Sequence, residues 1–411
     1  MLLKGKNICK SYSRLFLLAM IGIPIGIVIG AMETLFGKVL LQITDVRNEY
    51  KMYLIPLLPI AGAFIVYVYT TFGKNTGKGM SLIFQVGHKE EDNIPLRLIP
   101  FSMIGTWMTH LFGGSAGREG VAVQTGATLS YWVGRKLSIE YSPSIFLITG
   151  MAAGFAGLFQ TPIAAIIFAI EVLVAGTISY QALLPAITAA FASSTTSHLL
   201  GLEKFSFSLT SNIGWNSSTI IKLIGLGIIF GIVGGMFAWL LKISKGVCSK
   251  KIKNPIVRIV VFGCVLSALF LIFYKGRYSG LGTNLIENSF YGGEVYYYDW
   301  ILKLLLTILT LSVGFQGGEV TPLFSIGASL GAVLAIILQL PIEFVAALGY
   351  VSVFGSATNT FLAPIFIGGE VFGYEYTPYF FVVSAIAYMC NRNQSIYSLQ
   401  KVFIEGDKSI I

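Results

Sequence analysis

Residues 113–127, GGSAGREGVAVQTGA, set an arginine and a carboxylate, Arg118 and Glu119, among glycines and small apolar side chains. A carboxylate in such a setting can carry a proton, and it can compete with a free anion for hydrogen-bond donors. A second one, Glu319, stands in GFQGGEVTPLFSIGASLGA (314–332) and is followed at once by Val320 and Thr321. A third, Glu171, closes GFAGLFQTPIAAIIFAIEV (154–172), where capping or pairing is the first reading. No nucleophile–base pair or cofactor loop accompanies them, and Cys9, Cys248, Cys264, Cys390, His88, His110 and His198 are scattered without metal-ligand spacing. We therefore expect no cofactor and no metal. The residues point to ion movement rather than bond making, against the alternatives of a membrane-embedded enzyme or a purely structural scaffold.

The elements that position Glu119 follow from its neighbours. Gly113, Gly114 and Gly117 disfavour a helix upstream, while Val121 to Leu129 can continue as one, so Glu119 falls near a helix N-terminus. Such an end presents unpaired N–H groups and partial positive charge, which together make an anion site. A buried structural Arg118–Glu119 pair is the plainer alternative. Ionisable side chains at bilayer depth are rare and commonly mark a pathway, which favours the functional reading.

Of 411 residues, 55% are hydrophobic and only 11% charged, which excludes an ordinary soluble domain. A helical span needs about 20 apolar residues, and Leu15–Ala31, Ile145–Val174, Ile220–Leu241 and Ile256–Phe273 approach or reach that length, with a further span at Tyr53–Thr70. Alternating barrel patterning is absent, so the expected fold class is an all-α polytopic integral membrane protein. The net charge of +9 is concentrated at Lys4–Arg14 and in a basic loop at 242–258. Such flanking clusters orient a membrane protein and place both in the cytoplasm, with no nucleic-acid partner implied. The basic start followed by an apolar run reads as a first membrane helix, not a signal peptide. GKNTGKGM at 73–80 reads either as the entry to another interrupted helix or as a solvated loop.

The two halves echo each other. Gly318 and Gly327 repeat the spacing of Gly117 and Gly126 at an offset of 201 residues, the same offset links Gly154-Phe155-Ala156 to Gly355-Ser356-Ala357, and nearly the same one links Glu171-Val172 to Glu370-Val371. The polar interval Glu203–Ser218 separates them, giving a first membrane repeat at 1–213 and a second at 214–411. Internal repeats whose broken helices meet near the midplane are a transporter signature. No folded domain is expected in the short stretch after Tyr388.

GREGV at 117–121 and GGEVTP at 317–322 resemble the two signatures of the CLC family of anion channels and anion/proton antiporters. The resemblance implies two inverted repeats of tilted, often broken helices, a homodimer with one pathway per subunit, and a multi-pass location in the cell membrane. It implies Glu119 as gate and proton carrier, Gly120, Val121, Val320 and Thr321 at the anion-facing helix ends, and Tyr397 in NQSIYS as a hydroxyl donor to the anion. Where chloride-handling members have a serine-containing GSGIP, this chain has GMSLI (79–83), so that Met80 replaces the serine unless Ser81 holds its register. Val121 replaces the common proline, Glu319 a hydrophobic residue, and Val172 the internal proton-transfer glutamate of the chloride antiporters.

Met80 with Glu319 and Thr321 is similar to the fluoride-exporting bacterial branch, which implies a proton-coupled antiporter exporting fluoride from the cytoplasm in exchange for protons. A chloride/proton antiporter or passive anion channel is the alternative. Fluoride is charge-dense, so stripping its water requires several aimed donors, which Thr321, Tyr397 and helix-end amides can supply. Burial and a neighbouring like charge both disfavour an ionised Glu319, and a protonated one donates instead of repelling. Methionine also fills apolar gaps, which leaves Met80 open between packing and pathway.

Overall fold

The computed structural model describes residues 2–211 and 213–403, with the backbone alone at 2–12. The side chains of Lys4, Lys6 and Lys10 in the expected basic start, and the tail from 404, lie outside the described residues. Sixteen α-helices are present among the described residues. The first half holds α1 (Leu2–Leu54), α2 (Leu58–Val68), α3 (Met80–Gly87), α4 (Leu98–Leu111), α5 (Glu119–Lys136), α6 (Ser142–Phe159), α7 (Pro162–Glu171) and α8 (Leu183–Leu199). The second holds α9 (Ser217–Lys251), α10 (Pro255–Ile272), α11 (Thr283–Phe290), α12 (Asp299–Val313), α13 (Val320–Leu338), α14 (Ile342–Thr358), α15 (Leu362–Phe372) and α16 (Thr377–Cys390). The only strands among these residues, β1 (Val174–Ala175) and β2 (Lys401–Val402), pair in parallel. They tie the segment after α7 to the segment after Tyr397.

Among the described residues, five helical stretches are long and apolar enough to cross a membrane. Their outward side chains are large and apolar, as on α9, where Ile221 and Ile232 are exposed. Such surface suits hydrocarbon rather than water.

Two sequence boundaries are corrected. The first span is not Leu15–Ala31 alone, because α1 runs on to Leu54, with a break in helical geometry only at Tyr50. The span expected at Tyr53–Thr70 is helical throughout, from the end of α1 through a tight turn at Ile55–Leu57 and α2 into a wider turn at Tyr69–Gly73. The basic loop at 242–258 is mostly helix: α9 continues to Lys251, since lysines are good helix formers. Only Ile252–Asn254 turn the chain, after which the Asn254 side chain caps the amides of Ile256 and Val257 and Pro255 opens α10.

The breaks expected at Pro162 and before Met80 are present. α6 ends at Phe159 with Gln160 in the left-handed region, and α7 begins at Pro162. Met80 is the first residue of α3.

Half-helices α7 and α15 are stitched to each other end to end. The Glu171 carboxylate accepts from the amides of Phe361 (2.6 Å), Leu362 (3.1 Å) and Ala363 (3.2 Å) at the start of α15. The Glu370 carboxylate accepts from those of Ile163 (3.2 Å) and Ala164 (2.8 Å) at the start of α7. Glu171 is thus a helix cap, in keeping with its structural reading. Bonds to a charged acceptor contribute about 1.5–3 kcal/mol each, and buried donors left empty cost more. Glu171→Ala is therefore expected to lower unfolding stability by about 3 kcal/mol or more in detergent-solubilised protein, and Glu171→Gln, which keeps one oxygen, by less. An unchanged melting temperature in the alanine variant would contradict the capping role.

Candidate functional site

Two loops, 113–118 and 314–319, meet at the centre of the fold. Gly117 and Gly318 exchange backbone hydrogen bonds, 2.6 Å from Gly117 N to Gly318 O and 2.8 Å from Gly318 N to Gly117 O. This bridge brings the first turns of α5 and α13 side by side. The approach depends on absent side chains: a Cβ on Gly117 would lie 2.9 Å from the Pro322 ring, and one on Gly318 3.0 Å from the Gly120 nitrogen.

Glu119, the first residue of α5, is 1% exposed. Its Oε2 accepts from the Thr321 amide at 3.1 Å, the Thr321 hydroxyl at 2.5 Å and the Arg118 amide at 3.3 Å. Thr321 is the second residue of α13, so the carboxylate of one half occupies the N-terminal end of a helix from the other. Among the described residues Glu119 Oε1 makes no hydrogen bond, and Arg118 Nε stands 3.7 Å away with no acceptor of its own. The plainer Arg118–Glu119 pair therefore accounts for less of the contact than Thr321 does.

Gly120 passes Glu319 closely, and a Cβ there would lie 3.9 Å from Glu319 Oε2. The other Glu319 oxygen faces Lys245 Nζ at 3.9 Å. Glu319 also forms part of the wall of a cavity of about 490 Å³ that includes Met80, Ser81, Gln124, Lys242 and Tyr397. The Tyr397 hydroxyl is buried and has no partner among the described residues, while its ring stacks on Phe84 at 5.1 Å between centroids. It is an unpaired donor on the wall of a cavity that also holds Glu319, Lys242 and Gln124. Glu119 and Thr321 are absent from the cavity wall, so Glu319 is the carboxylate that meets it.

Of the predicted site residues, Glu119, Gly120, Glu319 and Thr321 form one cluster, and Met80, Glu319 and Tyr397 share the cavity. Val320 is buried as the first residue of α13. The Val121 amide is not free beside Glu119; it donates to the Arg118 carbonyl at 3.1 Å, because α5 opens with a tight turn.

Sequence reading passed over the groups that brace the first loop. Lys303, wholly buried in α12, donates to Ser115 Oγ (2.8 Å) and to the carbonyls of Gly280 (2.7 Å) and Tyr278 (3.2 Å). Ser115 Oγ also meets Thr307 Oγ1 at 2.8 Å, and His110 faces the Ala116 carbonyl at 2.9 Å. Glu33 on α1 is buried and accepts from the Thr125 hydroxyl of α5 at 2.6 Å. The available signal for Lys303 and Glu33 was a lone charge inside an apolar run, ILKLLLTIL and GAMETLFG.

With this geometry in hand, the comparisons with known proteins agree in direction. The family model described as voltage gated chloride channel matches residues 61–392. This chain belongs to that family, the CLC anion channels and transporters, and is a multi-pass membrane protein.

A "Chloride/fluoride channel protein" of Pseudomonas syringae pv. tomato is 33% identical over 392 residues, covering 94% of this chain and 86% of the relative. A crystal structure of a CLC-type fluoride/proton antiporter is 54% identical, covers 95% of this chain and 99% of its own, and superposes with a TM-score of 0.94. A slow cyanobacterial Cl⁻/H⁺ antiporter, 18% identical with a TM-score of 0.77, covers 94% of this chain and 96% of its own and shares the fold.

Proposed function

We propose that this chain is a secondary active transporter that exports fluoride from the cytoplasm in exchange for protons, with Glu119 as both gate and proton carrier. The observation that carries the reading is the Glu119 carboxylate seated on the Thr321 amide and hydroxyl. An anionic oxygen there stands in for a fluoride ion, which wants the same two donors and the same helix end. Similarity to the fluoride/proton antiporter structure and to the Pseudomonas protein supports fluoride as the anion.

The cycle follows from the arrangement. Deprotonated Glu119 fills the anion position and closes it. Once protonated it loses its hold on the Thr321 donors, which fluoride can then take. Glu319, on the far side of Gly120, accepts or donates a hydrogen bond according to its own protonation, so it can hold a protonated Glu119 or deliver fluoride from the cavity. Met80 offers no hydroxyl where a chloride pathway would have one, and Tyr397 offers its unpartnered hydroxyl instead. With Val172 in place of a second proton-transfer glutamate, the proton enters and leaves through Glu119 itself.

The remaining architecture belongs to the same proposal. Residues 1–213 and 214–411 are inverted repeats, supported by the Gly117–Gly318 bridge and the exchanged Glu171 and Glu370 caps. The protein is a homodimer in the cell membrane with cytoplasmic termini, which rests on family likeness and on the basic residues around the α9–α10 turn.

Glu319 provides the test. In liposomes holding fluoride and chloride, wild-type protein is expected to pass fluoride with protons and little chloride. Glu319→Gln should slow exchange tenfold or more, in line with about 1.5–3 kcal/mol for a hydrogen bond to a charged group, while eluting and melting as a folded protein. Robust chloride flux would favour a chloride antiporter or channel. Unchanged turnover in the variant would remove Glu319 from the mechanism.

A further inference from the structure

At the end of α10 remote from the basic α9–α10 turn, the last turns of α1, the segment Tyr274–Gly282 and the first turn of α11 enclose a second cavity, of about 410 Å³. Its wall includes Arg47, Asn48, Lys51, Arg277, Thr283 and Asn284. Arg47 is 5% exposed, yet among the described residues its Nε and Nη1 have no acceptor, and only Nη2 is bonded, to Asn48 Oδ1 at 2.8 Å. The nearby acids do not satisfy it. Asp299 is engaged by Arg277 at 2.7 Å and by the Tyr278 hydroxyl at 2.6 Å. Asp45 and Glu49, which flank Arg47 along α1, are exposed, stand outside the cavity wall and make no ion pair with it. Lys51 likewise has no ion pair among the described residues.

The first turn of α11 adds donors. It carries no acidic residue and no side-chain cap. The amides of Leu285 and Ile286 turn back to the Gly282 carbonyl, and those of Thr283 and Asn284 have no acceptor among the described residues. A buried guanidinium with two empty donors is costly, and here it shares a roomy cavity with an ammonium and a helix N-terminus.

We propose that this cavity is an oxyanion site of the phosphate class, separate from the pathway at Glu119. A planar guanidinium, a point charge, a hydroxyl and helix amides approach from several directions, which matches a polyatomic oxyanion. The volume is far beyond that of a single halide. Inorganic phosphate and the phosphate of a lipid headgroup share this chemistry, and exposed Tyr50 and Tyr53 beside Lys51 put the cavity at the edge of the apolar belt. Its floor touches the gate loop: Arg47 Nη1 packs on Gly280, whose amide donates to Gly114 O at 3.1 Å and whose carbonyl accepts from Lys303. The inference does not depend on which anion the protein transports.

The test uses the full chain, purified in neutral detergent and titrated with inorganic phosphate at constant ionic strength, with melting temperature as the readout. Saturable stabilisation is expected, with the midpoint raised about tenfold in Arg47→Gln and in the milder Lys51→Gln. If the natural source is lipid, phosphate has little effect, while vesicles containing phosphatidylglycerol stabilise the wild type over pure phosphatidylcholine and Lys51→Gln loses that gain. The proposal is overturned if neither phosphate nor phosphatidylglycerol stabilises the wild type, or if Lys51→Gln and Arg47→Gln respond as the wild type does.

Discussion

Glu119→Gln is expected to abolish the coupling of protons to fluoride, with proton uptake during fluoride efflux falling to the level of empty liposomes. Glutamine keeps the size of the side chain and one acceptor oxygen for Thr321, so the fold around the Gly117–Gly318 bridge should persist. What it removes is the carboxyl proton that the proposed cycle carries on Glu119. Loss of an obligate proton-transfer group commonly lowers the rate by at least about a hundredfold. Residual fluoride movement without protons would fit a gate that no longer carries charge. A variant still moving protons at the wild-type rate would show that Glu119 is not the carrier.

The largest effect on folding is expected at Gly327. A Cβ there would collide with the Gly349 carbonyl oxygen and lie 2.5 Å from its carbonyl carbon. The α13–α14 crossing is thus backbone against backbone, and the same is true of α5 and α6, where Gly126 faces Gly150 and Gly154. Within a bilayer helices gain by such close approach, since lipid offers no hydrophobic force to hold them. Gly327→Leu is expected to lower stability by about 3 kcal/mol or more, read as loss of monodisperse protein in detergent or a sharply lower melting temperature. Because α13 carries Thr321 at its start, any folded fraction should transport poorly. A variant that melts and transports normally would contradict the close crossing.

The spacing of Gly117 and Gly318 was visible in the sequence, and so was a helix starting at Glu119, since glycines stop where small apolar residues continue. Their meeting was not: residues 201 apart carry no local trace of a shared hydrogen-bonded bridge. Glu171 could be read as a cap but its partner, the start of α15, could not, because backbone amides look alike in any sequence. Lys242–Arg258 looked like a loop because charge was taken for exposure to water along its whole length. Lysines prolong helices equally well, and the break came only where Asn254 and Pro255 supply a cap and a first turn. Lys303 and Glu33 stood out only as single charges in apolar runs, and their contacts became legible once α12 and α1 were packed against the Glu119 segment.

Antiport itself can be tested by its direction. Liposomes with equal fluoride on both sides, and with the membrane potential held at zero by potassium and valinomycin, are acidified outside and followed with a fluoride electrode. The account predicts that inward protons drive fluoride outward against its own gradient, and that Glu119→Gln does not. Passive diffusion of HF would run the other way, inward, and an open anion channel at zero potential would produce no net movement. Either of those results in the wild-type protein would contradict proton-coupled fluoride export.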